Sequence, residues 1–146
     1  MPIAFLLLFG LVLSPQIPAL STQCSPCLAM DAVSSGHGSG HSPCLSASET
    51  ASHVAIRKPV APPGLNEPHM KIDGIVAACT CFAETGEVTQ ISIVSGPAMM
   101  QQSVLESLKG WRFRPVSRGG QRYGACGTLR IHVTLKDSRV SAKIEP

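Results

Sequence analysis

The feature that most constrains the fold is a change of hydrophobic periodicity in the second half of the chain. Apolar residues alternate with others over residues 74–82 and 88–94, recur every three to four residues over 98–109, and alternate again over 128–135. A period of two is typical of half-buried strands, and the longer period is typical of an amphipathic helix. The element order is therefore predicted to be β-β-α-β.

The spacing of these elements predicts how the strands pair. Residues 83–86 (Ala-Glu-Thr-Gly) form a turn that makes the first two strands a hairpin. The helix carries the chain back, and a right-handed crossover most simply places the third strand beside the first. We expect an α+β fold with a three-stranded antiparallel sheet in the order 2-1-3. One helix covers one face, and the third strand lies at an edge.

The predicted core combines the inward positions of these elements with the aromatic pair after the helix. Large aromatic side chains dominate small cores, which favours a packing role for that pair over a binding role. The core residues are Val76, Phe82, Ile91, Ile93, Val104, Leu108, Trp111, Phe113, Leu129, Ile131 and Val133.

Three cysteines fall on the sheet face opposite this core, namely Cys79, Cys81 and Cys126. Because the first and third strands are antiparallel, the end of the first meets the start of the third. This register predicts a disulfide between Cys81 and Cys126, with Cys79 as the alternative partner of Cys126.

The first 21 residues are typical of a secretory signal peptide. Residues 3–13 are apolar, but this run is shorter than the roughly 20 residues that cross a bilayer as a helix. Cleavage is expected before Thr22, and an uncleaved segment would serve as a short inner-membrane anchor. Export implies a periplasmic or secreted protein in an oxidising compartment, where cysteines form disulfides.

Residues 22–70 are rich in Ser, Gly and Pro and predict a disordered linker ahead of a domain at 71–146. Cysteine and histidine can bind Zn²⁺ or Cu(I), and disulfides are the alternative in an oxidising compartment. We predict no metal or other cofactor. The candidate ligands are Cys24, Cys27, His37, His41 and Cys44.

Charge and motifs exclude several function classes. All twelve lysine and arginine residues occur from Arg57 onward, a mild basic bias that favours an acidic partner. The cations are too dispersed for a nucleic-acid site. No paired carboxylates, nucleophile with a base, or phosphate loop stands out, so the chain is not predicted to be an enzyme.

Several motifs of the domain form one recognisable series. They are Gly74-x-Val76, Thr85-Gly86-Glu87-Val88, Ile93-Val94-Ser95-Gly96, Trp111-Arg112-Phe113-Arg114-Pro115 and the strand over residues 127–133. Together they resemble the C-terminal domain of TonB-family energy transducers, over less than half of the chain.

The resemblance implies a periplasmic protein-binding module for TonB-dependent transport. Its partner would be an outer-membrane transporter or another envelope protein, added as a strand to the sheet edge. Two alternatives are a free-standing secreted scaffold without energy coupling and a metal-handling envelope protein. The implied partner-binding residues are Thr128, Arg130, His132 and Thr134 on the third strand, with Arg112, Arg114, Arg118 and Arg122 supplying basic contacts.

Overall fold

A computed structural model describes Cys24 and residues 43–64 and 69–146. These residues form an α+β fold with nine strands and two helices. In chain order the elements are β1 (Cys44–Leu45), α1 (Ala47–His53), β2 (Val54–Ile56), β3 (Ile72–Phe82), β4 (Val88–Ser95), α2 (Ala98–Leu108), β5 (Arg112–Phe113), β6 (Val116–Arg118), β7 (Gln121–Tyr123), β8 (Ala125–Lys136) and β9 (Arg139–Glu145).

The main sheet is larger than the sequence predicted. Its order is β1-β8-β3-β4, and β9 also pairs with β8. The α+β class is confirmed, and β3 lies antiparallel between β4 and β8 as expected. A three-stranded antiparallel sheet with one helix is wrong, because the described residues contain a five-stranded mixed sheet and two helices.

The predicted edge position of the third strand is also wrong. Residues 130–136 of β8 pair with β9, and Cys126 and Gly127 pair in parallel with β1. The cause is a tight turn at Asp137 and Ser138, whose φ angles are 50° and 61°. Two consecutive residues with positive φ are typical of a two-residue hairpin. The chain therefore folds back onto β8 instead of leaving it exposed.

The linker expected over residues 22–70 is wrong for its described second part. A capping box starts α1, because the Ser46 side chain accepts from the Glu49 amide and the Glu49 carboxylate accepts from the Ser46 amide. β2 then pairs with β5, and Val60 enters the core at 7% exposure. The domain thus includes residues before 71. The predicted signal peptide, Cys27, His37 and His41 lie outside the described residues.

Both helices cover one side of the main sheet, here called the helix face. Helix α2 packs against β3 and β4, and α1 packs against β8 and β9. The predicted core residues all belong to this layer, with Ile91 and Ile93 partly buried at its margin. Phe113 stacks on Phe82 with ring centroids 4.7 Å apart. We call the opposite side the disulfide face.

Gly127 allows α1 to sit close to the sheet. A Cβ at this position would lie 1.9 Å from Thr50 Oγ1 and 3.0 Å from the Leu45 carbonyl oxygen. We expect Gly127→Ala to lower the free energy of unfolding by about 1–3 kcal/mol, because such overpacking forces the backbone to shift. Urea denaturation measures the change, and hydrogen exchange over residues 43–56 should rise with it.

The control is Gly64→Ala, because among the described residues no atom beyond its own chain neighbours lies within 4 Å of the added Cβ. It should leave the unfolding midpoint almost unchanged. Equal stability of the Gly127→Ala variant and the wild type would contradict the close seating of α1.

Candidate functional site

One edge of the main sheet is the side of β9 that faces away from β8. The two-residue turn makes Lys136 and Arg139 a hydrogen-bonded closing pair, and hydrogen-bonded pairs alternate with non-bonded ones along an antiparallel ladder. The backbone groups of Val140, Ala142 and Ile144 therefore point away from β8. Among the described residues, no strand pairs with this side.

The other edge of the sheet, β4, is less regular. Its pairing with β3 shifts register twice, between Ala77 and Ala78 and between Cys81 and Phe82. Such irregularities twist an edge and hinder the addition of a further strand. The β8–β9 ladder has no shift from the Lys136–Arg139 pair to the Arg130–Glu145 pair. The β9 edge is therefore the better template for an extended segment.

A groove runs beside β9 on the helix face. One wall is a strap formed by residues 57–60, and the other is the apolar side of β9. The cavity volume is about 360 Å³. Apolar lining is contributed by Val60, Trp111, Ile131, Val140, Ala142 and Ile144.

Two hydrogen bonds hold the strap against Ser107 of α2 and against Trp111, which follows that helix. The Ser107 hydroxyl donates to the Lys58 carbonyl oxygen over 2.7 Å, and the Trp111 indole donates to the same oxygen over 3.2 Å. The indole also donates to the Ser107 hydroxyl over 3.0 Å. Lys58 is thus held through its backbone, and its side chain extends over Gly110.

The surroundings of β9 are basic. Arg57 and Lys58 line the groove, and Arg139 and Lys143 lie on β9 itself, in the row on the disulfide face. None of these four cations forms an ion pair within the described part of the chain. The acid at the end of β9, Glu145, lies 3.5 Å from His132 Nδ1 on the disulfide face. The groove therefore favours an acidic partner.

The predicted partner-binding residues of β8 lie in a different place from the expected edge. Thr128, Arg130, His132 and Thr134 alternate with the core residues, as predicted, and lie on the disulfide face. However, β1 and β9 cover the edge of their strand. Thr128 Oγ1 is 3.5 Å from Cys24 Sγ. Their backbones therefore cannot serve as an open edge, which corrects the expected geometry.

His132 links three neighbouring strands of the disulfide face. Its Nε2 atom lies 2.6 Å from Asp73 Oδ1 on β3, and its Nδ1 atom lies 3.5 Å from Glu145 Oε1 on β9. The carboxylates thus meet opposite nitrogens of one ring and do not converge on a common point. Within the described residues, no group of three or more His, Cys, Asp and Glu side chains is placed to hold a metal ion.

The contact between Asp73 and His132 should weaken in acid, because Asp73 becomes protonated. Hydrogen bonds from His132 and then Thr134 hold the pKa of Asp73 below its ordinary value of 3.8. Because the folded pKa is the lower one, the stabilisation is present above about pH 4 and is lost as pH falls through the folded pKa. We expect Asp73→Asn to unfold earlier in urea than the wild type at pH 6. The difference between the two should shrink as pH falls below about 4.

A second carboxylate serves as the comparison for this titration. Hydrogen bonds from the Ser46 backbone and then its side chain hold the pKa of Glu49 below its ordinary value of 4.5, so Glu49→Gln should show the same sign, with the difference shrinking as pH falls below about 4.5. A gap between wild type and Asp73→Asn that stays constant from pH 6 to pH 2.5 would contradict the assignment.

The four predicted arginines divide into two pairs. Arg112 lies 3.4 Å from the Glu87 carboxylate, and the Arg114 guanidinium donates to the Ser52 carbonyl oxygen. These contacts give both a structural role. Arg118 and Arg122 are exposed on the β6–β7 hairpin. A partner-binding role for the four remains a prediction.

The disulfide face carries the predicted cross-link. Cys81 and Cys126 are bonded, with Cα atoms 4.0 Å apart on directly paired positions of β3 and β8. The alternative partner, Cys79, is bonded to Cys24 instead. Cys44 is disulfide-bonded as well. Two of the five candidate metal ligands, Cys24 and Cys44, therefore offer no free thiolate.

These disulfides indicate an oxidising location, either extracytoplasmic or secreted. Over the described ranges, no helix has both the length and the apolar character needed to cross a membrane. No protein-family model, curated protein or solved structure matches this chain.

Sequence reasoning missed the strand that defines this site. Val140, Ala142 and Ile144 alternate with polar residues directly after the turn at Asp137 and Ser138. That short alternation is the signal that identifies β9. The strap carries no comparable periodicity, and its place beside β9 depends on contacts with residues far away in the chain.

Proposed function

We propose that this chain is an extracytoplasmic protein-binding module that adds an extended segment of a cell-envelope protein to β9. The observation that carries the proposal is the regular edge of β9, which pairs with no other strand of the described residues, beside a basic groove. Strand addition obtains affinity from main-chain hydrogen bonds and specificity from pockets for alternate side chains. Both elements are available along this edge.

The motif resemblance to TonB C-terminal domains supports the same kind of function. It favours a periplasmic module whose partner is an outer-membrane transporter or another envelope protein. In this proposal the binding strand is β9, whereas the sequence had indicated β8. The residues implied on β8 would then support the edge from behind, because His132 contacts Glu145 of β9.

The test removes one outward-facing amide. Ala142→Pro deletes an N–H of the open edge without removing a bond to β8, because Ala142 and Val133 form a non-bonded pair in the ladder. Immobilised wild type and Ala142→Ser should capture the same envelope proteins from a Gram-negative extract. Ala142→Pro should lose those proteins at least tenfold, as judged by quantitative mass spectrometry.

Ala142→Ser is the matched control because it keeps the amide and a small side chain. Thermal unfolding of all three proteins checks that the sheet is intact, and Val140→Pro against Val140→Thr repeats the comparison if Ala142→Pro unfolds. Equal capture by both proline variants would overturn strand addition at β9. Absence of capture by the wild type would favour the free-standing scaffold.

A further inference from the structure

We infer that the segment bound at β9 alternates aliphatic and acidic residues, a specificity that rests on the proposed function. The two sides of β9 differ in chemistry. Val140, Ala142 and Ile144 pack toward the core, whereas the row on the opposite face consists of Arg139, Ser141, Lys143 and Glu145. A strand added to β9 places its own side chains in the same two rows.

The aliphatic preference follows from the groove. A side chain on the helix face of the added strand lies beside the apolar row of β9. Ala142 is the small residue in that row, between Val140 and Ile144, and leaves a notch into the groove. Behind the notch lie the apolar surfaces of Trp111 and Ile131. They accept an aliphatic group well, whereas a polar group placed there would lose its hydrogen bonds to water without gaining new ones.

The acidic preference follows from the opposite row and from the groove rim. Residues added on the disulfide face opposite Arg139 and Lys143 meet a positive charge, and opposite charges in cross-strand pairs are favourable. The acid of the same row, Glu145, contacts His132. Arg57 and Lys58 extend the positive charge along the rim of the groove. The four cations have no acidic partner among the described residues. Hence a partner with carboxylates meets unneutralised charge without displacing an ion pair.

The probe is a capped six-residue peptide of alternating valine and aspartate. Two matched peptides separate the chemistries, one with asparagine for aspartate and one with serine for valine. Binding to the full chain is measured by fluorescence anisotropy at low and high salt. We expect either replacement to weaken binding roughly threefold to tenfold. Added salt should weaken only the aspartate peptides.

Variants of the protein provide the reciprocal test. Arg139→Gln with Lys143→Gln should remove the preference for aspartate over asparagine. Lys71→Gln with Lys109→Gln, which changes the net charge equally at two exposed positions outside the groove lining, should preserve it. Ala142→Leu fills the notch and should remove the preference for valine over serine, while Ala142→Ser preserves it.

The outcomes separate this inference from the proposed function. If all three peptides bind equally and Ala142→Pro abolishes that binding, strand addition stands and the side-chain specificity falls. If none binds, or Ala142→Pro binds as well as wild type, both fall. Self-association of the peptide-free protein that Ala142→Pro abolishes would identify a second copy as the occupant and overturn the inference.

Discussion

Replacing Cys81 and Cys126 together by alanine is expected to lower the free energy of unfolding by about 4 kcal/mol. The disulfide closes a loop with a sequence separation of 45 residues. The chain-entropy estimate for such a loop is roughly 4 kcal/mol, and measured native disulfides in small domains contribute about 2–5 kcal/mol. Because both positions are under 10% exposed, alanine avoids burying a hydroxyl without a partner. Urea denaturation under non-reducing conditions measures the loss.

Chemical mapping tests the same bond directly. Cys79 and Cys81 fall in one proteolytic peptide, so unreduced protein should yield a single fragment in which this peptide is cross-linked to the peptides of Cys24 and Cys126. In the double variant the peptide that contains position 126 should be released, while the Cys24 peptide stays attached. Alkylation of Cys126 without prior reduction would contradict the assignment.

The Cys81–Cys126 pairing shows how far sequence reasoning reaches in this fold. Alternation fixes which residues of β3 and β8 share a face, and the antiparallel crossover fixes which ends meet. Those two inferences are enough to place the two cysteines opposite each other. The three central strands β4, β3 and β8, the β3–β4 hairpin and α2 are predictable for the same reason, because each depends on a local period.

The elements that the sequence did not predict lack such a period or are too short to show it. β1 has only two residues and pairs in parallel with the start of β8. Helix α1 has seven residues and no apolar stripe, although its Ser46-x-x-Glu49 capping box is readable. The strap is ordered by one buried side chain, Val60, and by bonds to its Lys58 carbonyl. Only the folded domain brings these partners together.

The predicted open edge was misplaced by one strand for a related reason. The sequence indicated an open edge at β8, and the predicted residues do lie on one face of that strand. Recognition of Asp137 and Ser138 as a hairpin turn moves the edge to β9. A short C-terminal strand can therefore change the proposed binding surface while leaving the order of the central strands unchanged.

Replacing Trp111 by alanine should have the second large effect on this protein. It tests the side chain that lines the groove and bonds to the strap. The side chain is 2% exposed within the core. Truncation of a buried tryptophan typically costs about 3–5 kcal/mol, because it removes apolar burial and leaves a cavity. The midpoint of urea denaturation should fall accordingly. A loss below about 1 kcal/mol would contradict the packing described here.

Trp111→Phe distinguishes the bulk of this side chain from its hydrogen bonds to the strap. Phenylalanine keeps most of the apolar contact but cannot donate to the Lys58 carbonyl oxygen, while the Ser107 hydroxyl still can. We expect a loss of about 1 kcal/mol for this variant. Hydrogen exchange at the strap should rise modestly in Trp111→Phe and strongly in Trp111→Ala. Because the strap forms one wall of the groove, peptide binding at β9 should weaken in the same order.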